Sequence, residues 1–260
     1  MANPDPEKGA PVDSGTLAGS RTPRDGLRRA EPGSRPRDAV DAGRGVLYIA
    51  AAKMYFMLAG AAIEFVLPRL LGRATFGAYG FVVQSASYVN NVVVTGTIQS
   101  VSRYTAQDPA RAEHVKAAGL RMHLLIGLPI AIAFGVAAPL WAHFVHDPGK
   151  TAPLLLSAIV VAAYAFYSVF TGSANGTRRF HQQAGLDVGF SSLRALFVLG
   201  AAVLGLGVVG AVAGWVAAAV VILIVAVWWV GWPREAKPEA LRPMMAFLGS
   251  LGLYLFLFNG

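Results

Sequence analysis

The chain has 260 residues, 55% of them hydrophobic and 14% charged, with a formal net charge of +8 and no cysteine. A soluble domain carries about 25% charged residues, so the composition argues against a soluble fold, and the missing cysteines exclude disulfide frameworks, thiolate catalysis and cysteine-based zinc sites. The positive charge lies in short clusters between apolar runs, with no basic stripe or base-reading motif, which suits loops held at an anionic leaflet and argues against nucleic acid as a partner.

Residues 1–44 are rich in Pro, Gly, Arg and Asp and hold seven of the 14 acidic residues. Such a segment buries too little apolar surface to offset the entropy of ordering, and it lacks the apolar stretch of a secretory signal. It reads as a disordered tail. From Gly45 the chain becomes a series of apolar runs of the length that crosses a bilayer, about 20 residues each. They cover 45–68, 74–102, 124–142 and 151–177, and then a run over 195–233 that fits two helices, with a hairpin at Gly205, Gly207 and Gly210. A further run opens at Pro243 and reaches Gly260. The runs are continuously apolar, not alternating, so helices and not a strand barrel are expected. The predicted architecture is an all-α integral membrane protein with about six transmembrane helices over 45–242 and a partial seventh over 243–260.

Lys and Arg in short loops set orientation. With the tail in the cytoplasm, the inner segments hold Arg103, Arg111, Lys116, Arg121, Arg178, Arg179, Arg234, Lys237 and Arg242, and the outer ones Arg69, Arg73 and Lys150. The asymmetry predicts a cytoplasmic N-terminus.

Polar side chains are costly in hydrocarbon and usually face protein or a water-filled path. The second run carries Gln84, Tyr88, Asn91, Thr95, Gln99 and Ser102 at steps of three or four, which stacks them on one helix face, and Ser87, Asn90 and Thr97 widen the stripe. It fits a cavity wall that hydrogen-bonds sugar hydroxyls, or equally an interhelical packing face. Lys53 and Glu64 share a face of the first helix; a cation below the membrane surface could attract a pyrophosphate, with snorkelling as the competing account. Arg194, two turns after Asp187, joins the cavity candidates, against pairing of those two residues or snorkelling. Gly205–Gly210 matches a dinucleotide fingerprint without its strand–helix context and is discounted. Gly210 and Gly214 have the spacing that lets helices approach closely. His143, His146 and Asp147 lack a further ligand for a metal. No catalytic residue, metal or cofactor is expected.

The segment Leu67-Pro-Arg-Leu-Leu-Gly-Arg-Ala-Thr-Phe-Gly-Ala-Tyr-Gly80 resembles the first-to-second helix junction of Wzx-like polysaccharide (O-antigen) flippases of the MOP superfamily, and Thr171-Gly-Ser-Ala-Asn-Gly-Thr-Arg-Arg-Phe180 is similar to their fourth-to-fifth loop. The resemblance covers roughly 45–260. It implies a non-enzymatic transporter of the bacterial inner membrane with two six-helix lobes, moving an undecaprenyl-pyrophosphate-linked oligosaccharide for polysaccharide or lipopolysaccharide biosynthesis. This chain supplies one lobe; the second would be a C-terminal half or another copy. An ion-coupled efflux protein of the same superfamily, or a membrane polymerase or acyltransferase, are the competing functions.

Overall fold

The computed structural model describes residues 36–234, 244–246 and 249–250. The chain divides into two units, 1–41 and 42–260. Of the first, only residues 36–41 are described, as the opening turns of the first helix. Of the expected disordered tail over 1–44, residues 36–44 are helical, as the start of the first helix; residues 1–35 and most of the expected seventh helix lie outside the described residues.

The described residues are almost all helical, with short turns between the helices and no strand among them. The helices are α1 (Pro36–Leu71), α2 (Arg73–Gln107), α3 (Ala112–Met122), α4 (Leu128–Phe144), α5 (Thr151–Gly176), α6 (Phe180–Val203) and α7 (Gly207–Val230). A π-turn over His123–Gly127 joins α3 to α4, and the backbone stays α-helical on both sides, so the two make one rod. The all-α membrane architecture is as expected. Among the described residues five helical segments are long and apolar enough to cross a membrane: α1, the α3–α4 rod, α5, α6 and α7. α2 has the length, but its amides and hydroxyls lower its hydropathy.

Two boundaries differ from the apolar runs. The third span was expected from Leu124, yet its rod begins at Ala112, so Lys116 and Arg121 are helical and not in a loop. Lys116 is 2% exposed. Its ammonium donates to Glu113 Oε1 at 2.9 Å and to the Gly231 carbonyl at the end of α7 at 3.0 Å, which satisfies a cation that hydropathy places outside. The fifth span starts at Phe180, well before the expected run at Ala195. Its polar first half is tied down: Gln182 donates to the Trp229 carbonyl, and Ser191 and Ser192 donate back to Asp187 and Val188 carbonyls.

The core sits around α5, 61% of whose most apolar stretch is buried, against 11–33% for the other four spans. It packs along α2, α4 and α7, and α6 packs along α7. Lipid offers apolar side chains no penalty for exposure, so close van der Waals contact must hold such helices together. Glycine supplies it. A Cβ on Gly176 would lie 2.6 Å from Thr105 Cβ and 2.8 Å from the Ser102 carbonyl, and one on Gly172 would lie 3.1 Å from the Ile98 carbonyl. Four residues apart, these glycines share one face and bring the α2 and α5 backbones together. Gly214 does the same between α7 and α6, where a Cβ would meet the Phe197 carbonyl oxygen at 2.5 Å.

The hairpin between α6 and α7 falls at Leu204–Leu206, as the glycines suggest. Gly205 and Gly207 have φ of 70° and 63°, the left-handed region that only glycine enters freely. Gly210 is already helical and leaves room for Leu206.

Candidate functional site

A cleft of about 580 Å³ opens on the bundle where α1, α2, α5, α6 and α7 converge. Its α2 wall is the polar stripe: Gln84, Ser87, Tyr88, Asn90, Asn91 and Thr95. Steps of three and four residues run this wall for eleven residues, about 16 Å at 1.5 Å per residue. Thr95 donates to Asn91 Oδ1 at 3.3 Å. Asn90 is only 6% exposed, and neither amide atom has a hydrogen-bond partner among the described residues. A buried amide with two unanswered polar atoms is rare, and water or a bound ligand is the usual remedy.

The facing wall is aromatic, from Phe56 of α1, Tyr164 of α5, Phe190 of α6 and Trp215 of α7. Trp215 Nε1 donates to the Tyr164 hydroxyl at 2.9 Å. Tyr164 meets Phe190 edge to face at 5.2 Å. These contacts fix the rings, so the wall is a rigid apolar surface with polar tips. Arg194 of α6 is the charged residue in the described lining. Its guanidinium carbon stands 5.3 Å from the Trp215 ring centroid, a cation–π arrangement, and Tyr79, Tyr164 and Glu64 are among its electrostatic neighbours.

The structure thus brings together Gln84, Tyr88, Asn91, Thr95 and Arg194. Gln99 is exposed and outside the lining. Lys53 also lies outside it but beside it, its Nζ 6.0 Å from the ring of Phe56, which does line the cleft. Asp187 pairs with Lys53 at 3.6 Å and not with Arg194. The polar groups were legible because α2 carries them on one face. Tyr164, Phe190 and Trp215 were not, since aromatic residues in apolar runs look alike whether they face lipid, core or cleft.

A second buried polar contact lies deeper, between α2 and the π-turn. Thr97 Oγ1 is 2.6 Å from the Val93 carbonyl and 2.8 Å from His123 Nε2. A carbonyl only accepts, so the single hydroxyl proton goes to Val93, and His123 must donate from Nε2. The ring fits because residue 127 is glycine, where a Cβ would stand 2.5 Å from His123 Nδ1.

What this arrangement can do is bind. Amides, hydroxyls and flat aromatic faces suit sugar rings, and an arginine suits an anion. No group of three or more His, Cys, Asp or Glu that could hold a metal occurs among the described residues.

No curated protein matches the chain. Two solved structures resemble it: a multidrug resistance MATE family transporter of the MOP superfamily in an outward-facing conformation, 17% identical with a TM-score of 0.61, and a MOP superfamily transporter from Pyrococcus furiosus, 15% identical with a TM-score of 0.61. Each match covers 80% of this chain and 51% of the other, so the chain spans about half the length of the transporters whose fold it shares. Residues 42–258 match the family described as polysaccharide biosynthesis protein. The chain is a membrane protein of the polysaccharide biosynthesis protein family.

Proposed function

We propose that this chain is one lobe of a transporter that moves an undecaprenyl-pyrophosphate-linked oligosaccharide across the bacterial inner membrane for O-antigen or related polysaccharide assembly. The observation that carries the reading is the chemistry of the cleft: a 16 Å row of amides and hydroxyls (at about 1.5 Å per residue), a fixed aromatic wall, and Arg194. Sugar hydroxyls would answer the stripe and the free amide of Asn90. A pyrophosphate would be drawn to Arg194, with Lys53 at the flank. The open side of the cleft would close against a second lobe, from a C-terminal half or another copy. The N-terminus would lie in the cytoplasm. Efflux of cationic compounds is the poorer fit, because a cation entering this cleft meets Arg194 and no lining carboxylate.

Export of the lipid-linked glycan tests this in cells carrying the full-length context. Arg194→Gln and Lys53→Ala should leave protein abundance unchanged and cause the lipid-linked glycan to accumulate on the cytoplasmic face, with Lys53→Arg milder because the charge is kept. Normal export by both charge-removing variants would rule the reading out.

A further inference from the structure

A second cleft, of about 420 Å³, lies on the other side of the polar stripe, between α2, α4 and α5. Its character is opposite. Phe81, Phe134, Ala137, Trp141 and Leu154 line it, and the hydroxyl of Ser85, also in its wall, is spent on the Phe81 carbonyl at 2.8 Å. Gln84 and Tyr88 line both clefts. They form a ridge one side chain thick between an apolar slot and a polar one.

The slot has a direction. From Phe81 to Val89 it follows α2 for eight residues, about 12 Å. At one end Trp141 stacks near Phe144, with ring centroids 6.1 Å apart, at the C-terminal turn of α4. Tryptophan is enriched at the membrane interface, where its amphipathic ring sits at headgroup level, and Trp141 is exposed. At that same end Lys150 stands over Phe81, its Nζ 5.4 Å from the ring centroid, and pairs with Asp147. The slot therefore runs from an interfacial cation into the hydrocarbon, and its long side is shared with the polar cleft.

We infer that this slot is a binding site for the polyprenyl chain of the transported lipid, holding the chain while the head occupies the polar cleft across the Gln84–Tyr88 ridge. The inference rests on the transport reading above. Ordinary phospholipid tails would fill an apolar slot too, but their headgroups carry no glycan to answer the amides and hydroxyls on the far side of the Gln84–Tyr88 ridge. An amphiphile with a polar head on the far side of the ridge answers both clefts at once.

The test uses the full chain in nanodiscs of phosphatidylethanolamine and phosphatidylglycerol, with a polyprenyl phosphate carrying a diazirine on its chain. Irradiation should label peptides of α2 and α4. Ala137 is exposed in the slot wall, so Ala137→Trp fills the slot without burying a new side chain in the core. It should lower labelling by about tenfold, the factor expected when about two methylenes lose their site, while Ala137→Ser labels normally. Labelling that ignores Ala137→Trp, falls elsewhere, or is competed equally by added phosphatidylglycerol would overturn the inference. Chain labelling that passes these controls, combined with normal export by Arg194→Gln and Lys53→Ala, would keep the polyprenyl site and remove the proposed transport role.

Discussion

Lys53 Nζ stands 3.6 Å from Asp187 Oδ2, linking α1 to α6 across the flank of the cleft. The separation is that of an ion pair without a hydrogen bond. α1 is the most exposed of the five apolar spans, and side chains moor it: Tyr55 to Ser192 at 2.9 Å, Phe56 stacked near Phe190 at 6.4 Å, and this pair. Asp187 is the more enclosed partner, its side chain 14% exposed against 61% for Lys53.

Removing the lysine should therefore cost more than removing the pair. Lys53→Ala leaves an enclosed carboxylate unanswered and should lower stability by about 1 kcal/mol, well below the cost for a fully buried pair because Lys53 is largely exposed. Lys53→Ala with Asp187→Asn should recover most of that. Thermal unfolding of the solubilised protein reads both, and a double variant less stable than Lys53→Ala would show that the pair does not couple.

The glycine contacts make the α2–α5 interface predictable. Gly176→Ala forces a methyl against Thr105 and the Ser102 carbonyl and should destabilise by roughly 1–3 kcal/mol. Gly80→Ala on α2 meets nothing within 4 Å and should be neutral or stabilising by up to about 1 kcal/mol through helix propensity. Equal melting temperatures for the two variants would mean the helices do not approach as closely as described.

Gly127→Ala places its methyl against His123 in the π-turn and should also cost about 1–3 kcal/mol. The clash is with the ring itself, so Gly127→Ala combined with His123→Ala should be less destabilising than the sum of the single changes. A double-mutant cycle by chemical denaturation measures the coupling; simple additivity would remove the proposed contact.

With no native cysteine, single introduced thiols report both the cleft and the topology. Cysteine at Asn91 or Thr95 should react with a small water-soluble reagent. Cysteine at Val82 or Val93, which are 0% and 7% exposed, should not. On intact cells an impermeant reagent should label a cysteine replacing Gly149 and spare one replacing Ala112. The reverse pattern would invert the proposed orientation.

Asp147 lies in the connection between α4 and α5, outside the spans. The hydrogen bond from Lys150 holds its carboxyl below the ordinary carboxylate value, and the Gly149 amide adds to this. A depressed native pKa gives stability that is present above the unfolded value and lost as pH falls through the native one. Acidification below the usual carboxylate range should free this turn, and Asp147→Asn should already lack the interaction at neutral pH. The protection factor of the Gly149 amide, its exchange rate by NMR corrected for the pH dependence of intrinsic exchange, should fall on acidification in the wild type only. An acid response unchanged in Asp147→Asn would assign it to another group.

The sequence by itself determined that this is a helical membrane protein, where most of its spans lie, and that α2 carries one polar face. These properties are local: hydropathy and the 3.6-residue period are written in neighbouring residues. The hairpin at Gly205 and Gly207 was equally legible, because positive φ is a demand that glycine alone meets cheaply. Tertiary structure decided the rest. Lys116 is helical and enclosed because Glu113 and a carbonyl of α7 answer it, and no local pattern announces a partner 115 residues away. Asp187 could have met Arg194, two turns along its own helix, and instead meets Lys53 of α1. Arg194 turns to Trp215. In hydrocarbon every apolar face is equally at ease against lipid or against another helix. Hydrophobicity therefore does not choose the neighbours; close contacts at Gly172, Gly176 and Gly214 do, and the choice of neighbours is what turns a polar stripe into one wall of a cleft.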